Sequence, residues 1–188
     1  MKKIIAFILV LMLCGCTVVR IDTSNIDTII DVVLSKNNNL FNRVGKGYKY
    51  YVPKGVTYVD TNELNEVLYS NGNYYYLYID AISYYNGTTH EYKKDPDAYY
   101  SRVITKEDGF KSDGCITVLK QDDKYYIEFI YNYSKIEALV NKEDLNDTIL
   151  NSAYILSTVK FNYDIIELML NEDYFTSQEE KYELFADE

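Results

Sequence analysis

Residues that could perform acid–base or nucleophilic chemistry are few and scattered in this chain. The single histidine, His90, lies in the polar stretch 86–91, which we interpret as a surface loop. The sequence shows no Ser or Cys that would complete a nucleophile–base pair with it. Cys115 opens an apolar run, so we expect a small buried core residue there. Because metal sites usually combine several His or Cys ligands, the sequence predicts neither a metal site nor a cofactor.

Two other patterns that suggest catalysis are incomplete. Ser157 and Lys160 match S-x-x-K, but the S-D-N and K-T-G elements that accompany this motif in penicillin-binding proteins are absent. Carboxylates are abundant, mostly in predicted turns where Asp is favoured, and none follows the calcium-loop pattern. Carboxylate pairs of hydrolases meet only in the fold. The sequence therefore favours a protein that is not an enzyme, with a carboxylate-dependent envelope hydrolase as a lesser alternative.

The most specific pattern lies at the N-terminus. Lys2 and Lys3 precede the apolar run 4–13, which leads into Leu13-Cys14-Gly15-Cys16. The run is too short to cross a membrane, because a span needs roughly 20 apolar residues. Positive charge followed by a short apolar run is typical of a signal peptide.

This N-terminus resembles the lipobox signal of bacterial lipoproteins, in which an apolar residue, a tolerant position and a small residue precede a cysteine. Leu13, Gly15 and Cys16 fit that pattern. The resemblance implies that residues 1–15 are removed as a signal peptide and that the Cys16 thiol carries a diacylglyceryl group. Two acyl chains give stable membrane anchoring. Residues 16–23 are then the lipid anchor and tether of a cell-membrane protein on the extracytoplasmic face, and a secretory signal or an uncleaved anchor helix is the alternative.

Composition limits the partners of the remaining chain. The protein has 188 residues and a formal net charge of −10, which disfavours nucleic acid and anionic lipid. No internal repeat or composition break divides residues 24–188, so we predict one domain. Its expected contacts are the membrane, through the lipid on Cys16, and an envelope protein.

Apolar periodicity predicts helices at both ends of this domain and strands between them. Ser24 is expected to cap a first helix, Asn141 a second with a stripe from Leu145 to Val159, and Asn162 a third over 163–170; Ser177 and Glu180 suggest a last short helix. Strands are predicted over 48–52, 56–59, 67–70, 74–84, 98–105, 115–120, 124–133 and 135–140. The predicted fold class is α+β, with one antiparallel sheet of about six to eight strands.

The order of these elements loosely resembles PsbP-like domains, some of which are lipoproteins. The stretch 47–55, with Gly47, Pro53 and Gly55, is similar to the early strand and turn of that group, but Val56 replaces the usual Trp. This resemblance implies a fold and no activity, because fold does not determine function.

Strand alternation places Tyr74, Tyr76 and Tyr78 on one face of the 74–84 strand. If exposed, these rings offer amphipathic surface to a protein or a glycan. If the terminal helices cover them, they belong to the core. The core position is favoured, because a sheet with two apolar faces needs cover on both. The leading hypothesis is a non-enzymatic accessory or protein-binding lipoprotein. The alternative is a small-ligand or glycan binder that uses Tyr74, Tyr76 and Tyr78.

Overall fold

The computed structural model describes residues 22–36, 38–105 and 114–171. The described helices are α1 (Ile26–Leu34), α2 (Ala81–Asn86), α3 (Leu145–Thr158) and α4 (Tyr163–Asn171), with a 3-10 turn at Lys142–Asp144. The strands are β1 (Arg43–Val44), β2 (Tyr48–Tyr50), β3 (Thr57–Asn62), β4 (Asn65–Ser70), β5 (Asn73–Ile79), β6 (Tyr100–Ile104), β7 (Gly114–Gln121), β8 (Lys124–Tyr131), β9 (Ser134–Asn141) and β10 (Lys160–Phe161).

The predicted signal peptide 1–15, the predicted lipidation site Cys16 and the helix expected near Ser177 lie outside the described residues. Of the helices in the described ranges, none combines the length and the apolar character that a membrane crossing requires.

The strands form two antiparallel sheets. The large sheet has seven strands in the order β3-β4-β5-β9-β8-β7-β6, and the small sheet has the order β1-β2-β10. The predicted α+β class, with one domain and helices near both ends, is confirmed. The small sheet was not predicted, because it pairs β10 with a strand more than 100 residues earlier, through Lys160 opposite Lys49 and Phe161 opposite Tyr48.

One face of the large sheet, here called the inner face, packs against α1 and α3. Alternate residues of β8 and β9 are buried on it, as the strand period of two requires. Tyr75 of β5 also points inward, and its hydroxyl lies 3.4 Å from Thr148 Oγ1 of α3. The opposite side of the large sheet is called the outer face.

The first helix is confirmed, but its predicted cap is wrong. Asn25, not Ser24, is the N-cap, and its Oδ1 accepts hydrogen bonds from the backbone N–H groups of Asp27 and Thr28. Ser24 instead donates its hydroxyl to Asp22. Both residue types are good caps, so local sequence alone does not choose between neighbours. Arg102 of β6 pairs with Asp27 and with Asp31 and so attaches α1 to the sheet edge.

The prediction of a strand over 74–84 is wrong beyond Ile79. Asp80 ends the strand and caps α2 by accepting a hydrogen bond from the Ser83 N–H at 2.8 Å. The cap predicted at Asn162 is confirmed, because its Oδ1 accepts from the Ile165 N–H at 3.3 Å. Asn141 does occupy the N-cap position of the 3-10 turn that leads into α3, as predicted, but its side chain makes no capping hydrogen bond.

A buried carboxylate joins the small sheet to the large one. Glu66 of β4 points to the inner face, with only 1% of the residue exposed. The Tyr48 hydroxyl donates to its Oε1 at 2.5 Å and the Tyr50 hydroxyl to its Oε2 at 2.8 Å. The Arg43 guanidinium pairs with the same carboxylate and stacks over the Tyr58 ring at 3.4 Å. Three donors therefore replace the water that burial removes.

The protonation states fit this arrangement. Burial, followed by the charge of Glu66 and the hydrogen bond to it, raises the pKa of Tyr48 and of Tyr50, so both hydroxyls stay protonated donors. Burial works against the charge of Arg43, but the hydrogen bond and charge of Glu66 raise its pKa overall. Gly45 is needed here, because a Cβ at that position would lie within 2.6 Å of the Tyr48 ring and hydroxyl.

We expect Glu66→Gln to lower the free energy of unfolding by about 2–4 kcal/mol, because it leaves a partly buried guanidinium without its counter-charge. Urea denaturation followed by circular dichroism measures this change. Glu143→Gln removes an exposed carboxylate and is the matched control, with an expected effect of under about 0.5 kcal/mol. Equal stability of the two variants would contradict the proposed importance of the Glu66 pair.

Candidate functional site

The three tyrosines singled out by strand alternation all lie on the outer face. Their exposure falls along β5: Tyr74 is 49% exposed, Tyr76 is half-buried and Tyr78 is 8% exposed. The helices α1 and α3 pack against the other side of the sheet, so they do not bury these rings. The outer face therefore presents one exposed tyrosine at one end of the row and a packed one at the other.

Tyr74 forms an aromatic pair with Tyr69, its cross-strand partner on β4. The ring centroids lie 5.1 Å apart at an interplanar angle of 59°, a tilted arrangement that aromatic pairs favour. Tyr69 is itself 37% exposed. The pair is called here the edge tyrosines, because β4 is followed only by the edge strand β3.

Next to Tyr76, five outer-face residues from three strands form what we call the tyrosine–glutamate cluster: Tyr78, Tyr126, Glu128, Lys135 and Glu137. The Tyr78 hydroxyl donates to Glu137 Oε2 at 3.2 Å, and Lys135 Nζ lies 2.8 Å from Glu137 Oε1. The Lys135 ammonium also lies 4.5 Å from the Tyr78 ring centroid. Both oxygens of Glu137 are thus held in place.

Glu128 is the member of the cluster with the least favourable electrostatic environment. It lies directly opposite Glu137 in the β8–β9 register, and like charges in that position repel. Burial and the charge of Glu137 raise the pKa of Glu128, while Lys135 opposes the shift. Burial, the charges of Glu137 and Glu128 and a hydrogen bond to Glu137 also raise the pKa of Tyr126.

The cluster contains two carboxyl groups, those of Glu128 and Glu137, and pairs of carboxyl groups serve as acid and base in some hydrolases. Two carboxyl groups in different environments, one with a raised pKa, are typical of acid–base pairs. Here Glu128 is the member with the raised pKa and Glu137 is the one paired with a cation. In the hydrolase alternative, which remains a hypothesis, Glu128 and Glu137 are the candidate carboxylate pair.

Sequence reasoning did not identify Tyr126, Glu128, Lys135 or Glu137. Alternation does place Tyr126 with Glu128, and Lys135 with Glu137, on one face of their strands. However, β9 lies next to β5 although it is more than 50 residues away in the sequence. Only the tertiary pairing of Tyr76 with Glu137 brings the two groups of residues together. The available signal in the sequence is the set of charged residues at the polar positions of the strands within 124–140.

The two remaining candidates for reactive residues, His90 and Cys115, do not form a catalytic group with the cluster. His90 is exposed, with its ring 6.2 Å from that of Tyr92. Cys115 is buried, and burial together with the charge of Glu128 raises its pKa to about 11. A thiol with that pKa is a poor nucleophile at neutral pH. Among the residues that the structure describes, no group of three or more His, Cys, Asp or Glu side chains could hold a metal ion.

A separate cleft of about 370 Å³ lies between the small sheet and the start of α4. Its lining includes Val44, Lys49, Lys160, Tyr163 and Ile165. Gly47 lets the β1–β2 turn approach α4: its φ is +78°, its carbonyl accepts from the Asn162 N–H at 2.8 Å, and a Cβ there would lie 2.9 Å from Ile166.

We predict that Glu128→Gln raises the free energy of unfolding at pH 7 by about 0.2–1 kcal/mol, because it removes a like-charge pair. Because the pKa of Glu128 is raised in the folded protein, the folded state holds this proton more tightly than the unfolded state. The wild-type protein therefore loses stability as the pH rises from below the unfolded pKa to above the folded pKa. The gain should therefore vanish in acid, where wild-type Glu128 is protonated as well. Urea unfolding of both proteins across pH 4–8 tests this, and a gain that persists at low pH would contradict it.

Comparison of the chain with protein-family models, with curated proteins and with solved structures found no match. The PsbP-like resemblance therefore stays a prediction.

Proposed function

We propose that this protein is a lipid-anchored, extracytoplasmic binding module that acts without catalysis on a protein in or near the cell envelope. The contact surface in this proposal is the outer face of the large sheet at the edge tyrosines, Tyr69 and Tyr74. The observation that carries the proposal is their position: two aromatic rings in contact, each more than one-third exposed, on the side of the sheet opposite α1 and α3.

The proposed location depends on the N-terminal pattern. Lys2, Lys3, the apolar run and Leu13-Cys14-Gly15-Cys16 occur in the order that a lipoprotein signal requires. The net charge of −10 disfavours attachment through anionic headgroups, so lipid on Cys16 is the expected anchor. Residues 17–23 span at most about 24 Å when extended, which keeps the domain close to the bilayer.

The proposed binding mode follows from the properties of tyrosine at interfaces. Tyrosine is enriched there because a rigid ring contributes apolar area at low entropic cost while the hydroxyl finds a polar partner. Adjacent rings that already contact each other are partly pre-organised, which lowers the cost of ordering them on binding. Tyr69 and Tyr74 meet these conditions, whereas Tyr78 is already packed against Lys135 and Glu137.

A small ligand or a glycan is the second candidate, and the tyrosine–glutamate cluster favours it. Tyr76 lies in register with Glu137, beside the fixed carboxylate and ammonium of the cluster. A half-buried ring next to oriented polar groups suits a ligand with both an apolar face and hydroxyls. In this alternative Tyr74 and Tyr76 contact the ligand, whereas Tyr78, the third tyrosine expected there, is buried and holds Glu137 in place.

We expect Cys16→Ser to abolish lipid labelling and to leave the protein unprocessed or released into the medium, because a hydroxyl does not replace the thiol as acceptor. Metabolic labelling with an alkyne fatty acid, followed by membrane fractionation, measures both effects. Cys14→Ser is the matched control and should keep the label, since that position is tolerant. Labelling of the Cys16→Ser protein would disprove the anchor.

We expect the double substitution Tyr69→Ser and Tyr74→Ser to reduce capture of a partner from native membranes by about tenfold or more, the effect of losing aromatic hot spots. Chemical crosslinking followed by affinity capture and quantitative mass spectrometry measures this. The control is Tyr99→Ser, which removes an equally exposed ring elsewhere on the molecule. Loss of capture only when Tyr76 is substituted, or on addition of purified cell-wall glycan, would favour the second candidate.

A further inference from the structure

The cleft between the small sheet and α4 contains an unbalanced pair of positive charges. Lys49 of β2 and Lys160 of β10 lie directly opposite each other in the antiparallel register, and both line the cleft. Like charges directly opposite each other destabilise a sheet. Within the described residues neither ammonium forms an ion pair, although Lys49 Nζ lies 4.1 Å from the Phe41 ring centroid.

The rest of the chain makes this pair unusual. The protein has a formal net charge of −10, so two unpaired lysines concentrated in one cleft form a local site of opposite sign. Asp164 is the single carboxylate that also lines the cleft. An anionic partner is repelled by most of the protein surface and attracted here, and its carboxylates would relieve the repulsion between Lys49 and Lys160.

Apolar side chains surround the same cleft. Val44 is 69% exposed, and Tyr163 and Ile165 of α4 are also exposed and line the cleft with it. Leu168, one turn after Ile165, extends this apolar surface along α4. Exposed apolar groups gathered in one place are typical of binding sites, and a volume of about 370 Å³ accommodates one large side chain with its neighbours.

The cleft also lies far from the membrane tether. The tether joins the domain beside the start of α3, where Asn146 donates a hydrogen bond to the Thr23 carbonyl at 2.7 Å. The cleft lies beyond the other end of α3, next to β10. A helix of 14 residues is about 21 Å long, so the cleft and the attachment point of the tether lie at opposite ends of α3.

We propose that this cleft binds an acidic peptide segment of a partner protein. In that complex one aromatic or aliphatic side chain of the segment lies against Val44, Tyr163 and Ile165, and flanking carboxylates pair with Lys49 and Lys160. The site is separate from the edge tyrosines, so either proposal stands if the other fails. Charge complementarity selects the partner, and the apolar contact distinguishes it from a simple anion.

The test uses a fluorescent, end-blocked peptide in which one Phe is flanked on each side by two Glu residues, and a second peptide with Lys in place of Glu. Fluorescence anisotropy with the lipid-free domain should show binding of the Glu peptide about tenfold tighter than the Lys peptide, with weakening at high salt. Equal binding of the two peptides would overturn the proposal.

The double substitution Lys49→Glu and Lys160→Glu should weaken Glu-peptide binding by about tenfold or more. The milder pair Lys49→Gln and Lys160→Gln tests the same point if the first variant fails to fold, which circular dichroism reports. The matched control is Lys54→Glu with Lys124→Glu, two exposed lysines outside the cleft. Unchanged binding in the Gln variant would refute the lysine pair as the site. Displacement of the peptide by inorganic phosphate at equal concentration would show a general anion site and would also overturn the proposal.

Discussion

The buried Glu66 carboxylate is the interaction on which the arrangement of this domain depends. A charge that is 1% exposed is tolerated only when donors replace its hydration. Two of its donors, Tyr48 and Tyr50, come from one strand of the small sheet, and Arg43 comes from the neighbouring strand. The Glu66 side chain therefore links two strands of the small sheet to β4 of the large sheet. Arg43 and Tyr48 lie on the strands that flank the β1–β2 turn, and this turn lines the cleft between the small sheet and α4. The Glu66 network therefore supports one side of that cleft.

The two faces of the large sheet differ in the side chains that they carry. The inner face carries the apolar alternation, packs against α1 and α3 and supplies most of the core. The outer face carries tyrosines and charges, ordered by cross-strand pairs such as Tyr69 with Tyr74 and by the contacts of Glu137. Substitutions on the outer face are expected to change binding more than stability, except at Glu128, where repulsion from Glu137 already acts against the fold.

Tyrosine abundance has no single meaning in this protein. Tyr50 donates a hydrogen bond to a buried carboxylate, Tyr75 packs under α3, Tyr84 stacks on Phe161 at 4.2 Å, and Tyr74 projects from the outer face. The same side chain serves these roles because its ring is apolar and its hydroxyl is polar. The number of tyrosines therefore does not identify a binding surface. Position in the fold separates the tyrosines of the core from those that are exposed.

Local sequence determined the helix stripe of α1, the hairpin at Asn71 and Gly72, the alternation of β5 and the α+β class, because these depend on neighbours within a few residues. The lipoprotein signal is likewise local and stays a prediction from sequence. Tertiary structure alone decided that β9 lies beside β5, that β10 joins β2, and that Glu66 meets Arg43. These contacts join residues 23 to more than 100 positions apart, and no pattern in a single strand encodes its partner. The tyrosine–glutamate cluster and the cleft between the small sheet and α4 arise from such pairings, whereas the edge tyrosines meet across a local hairpin.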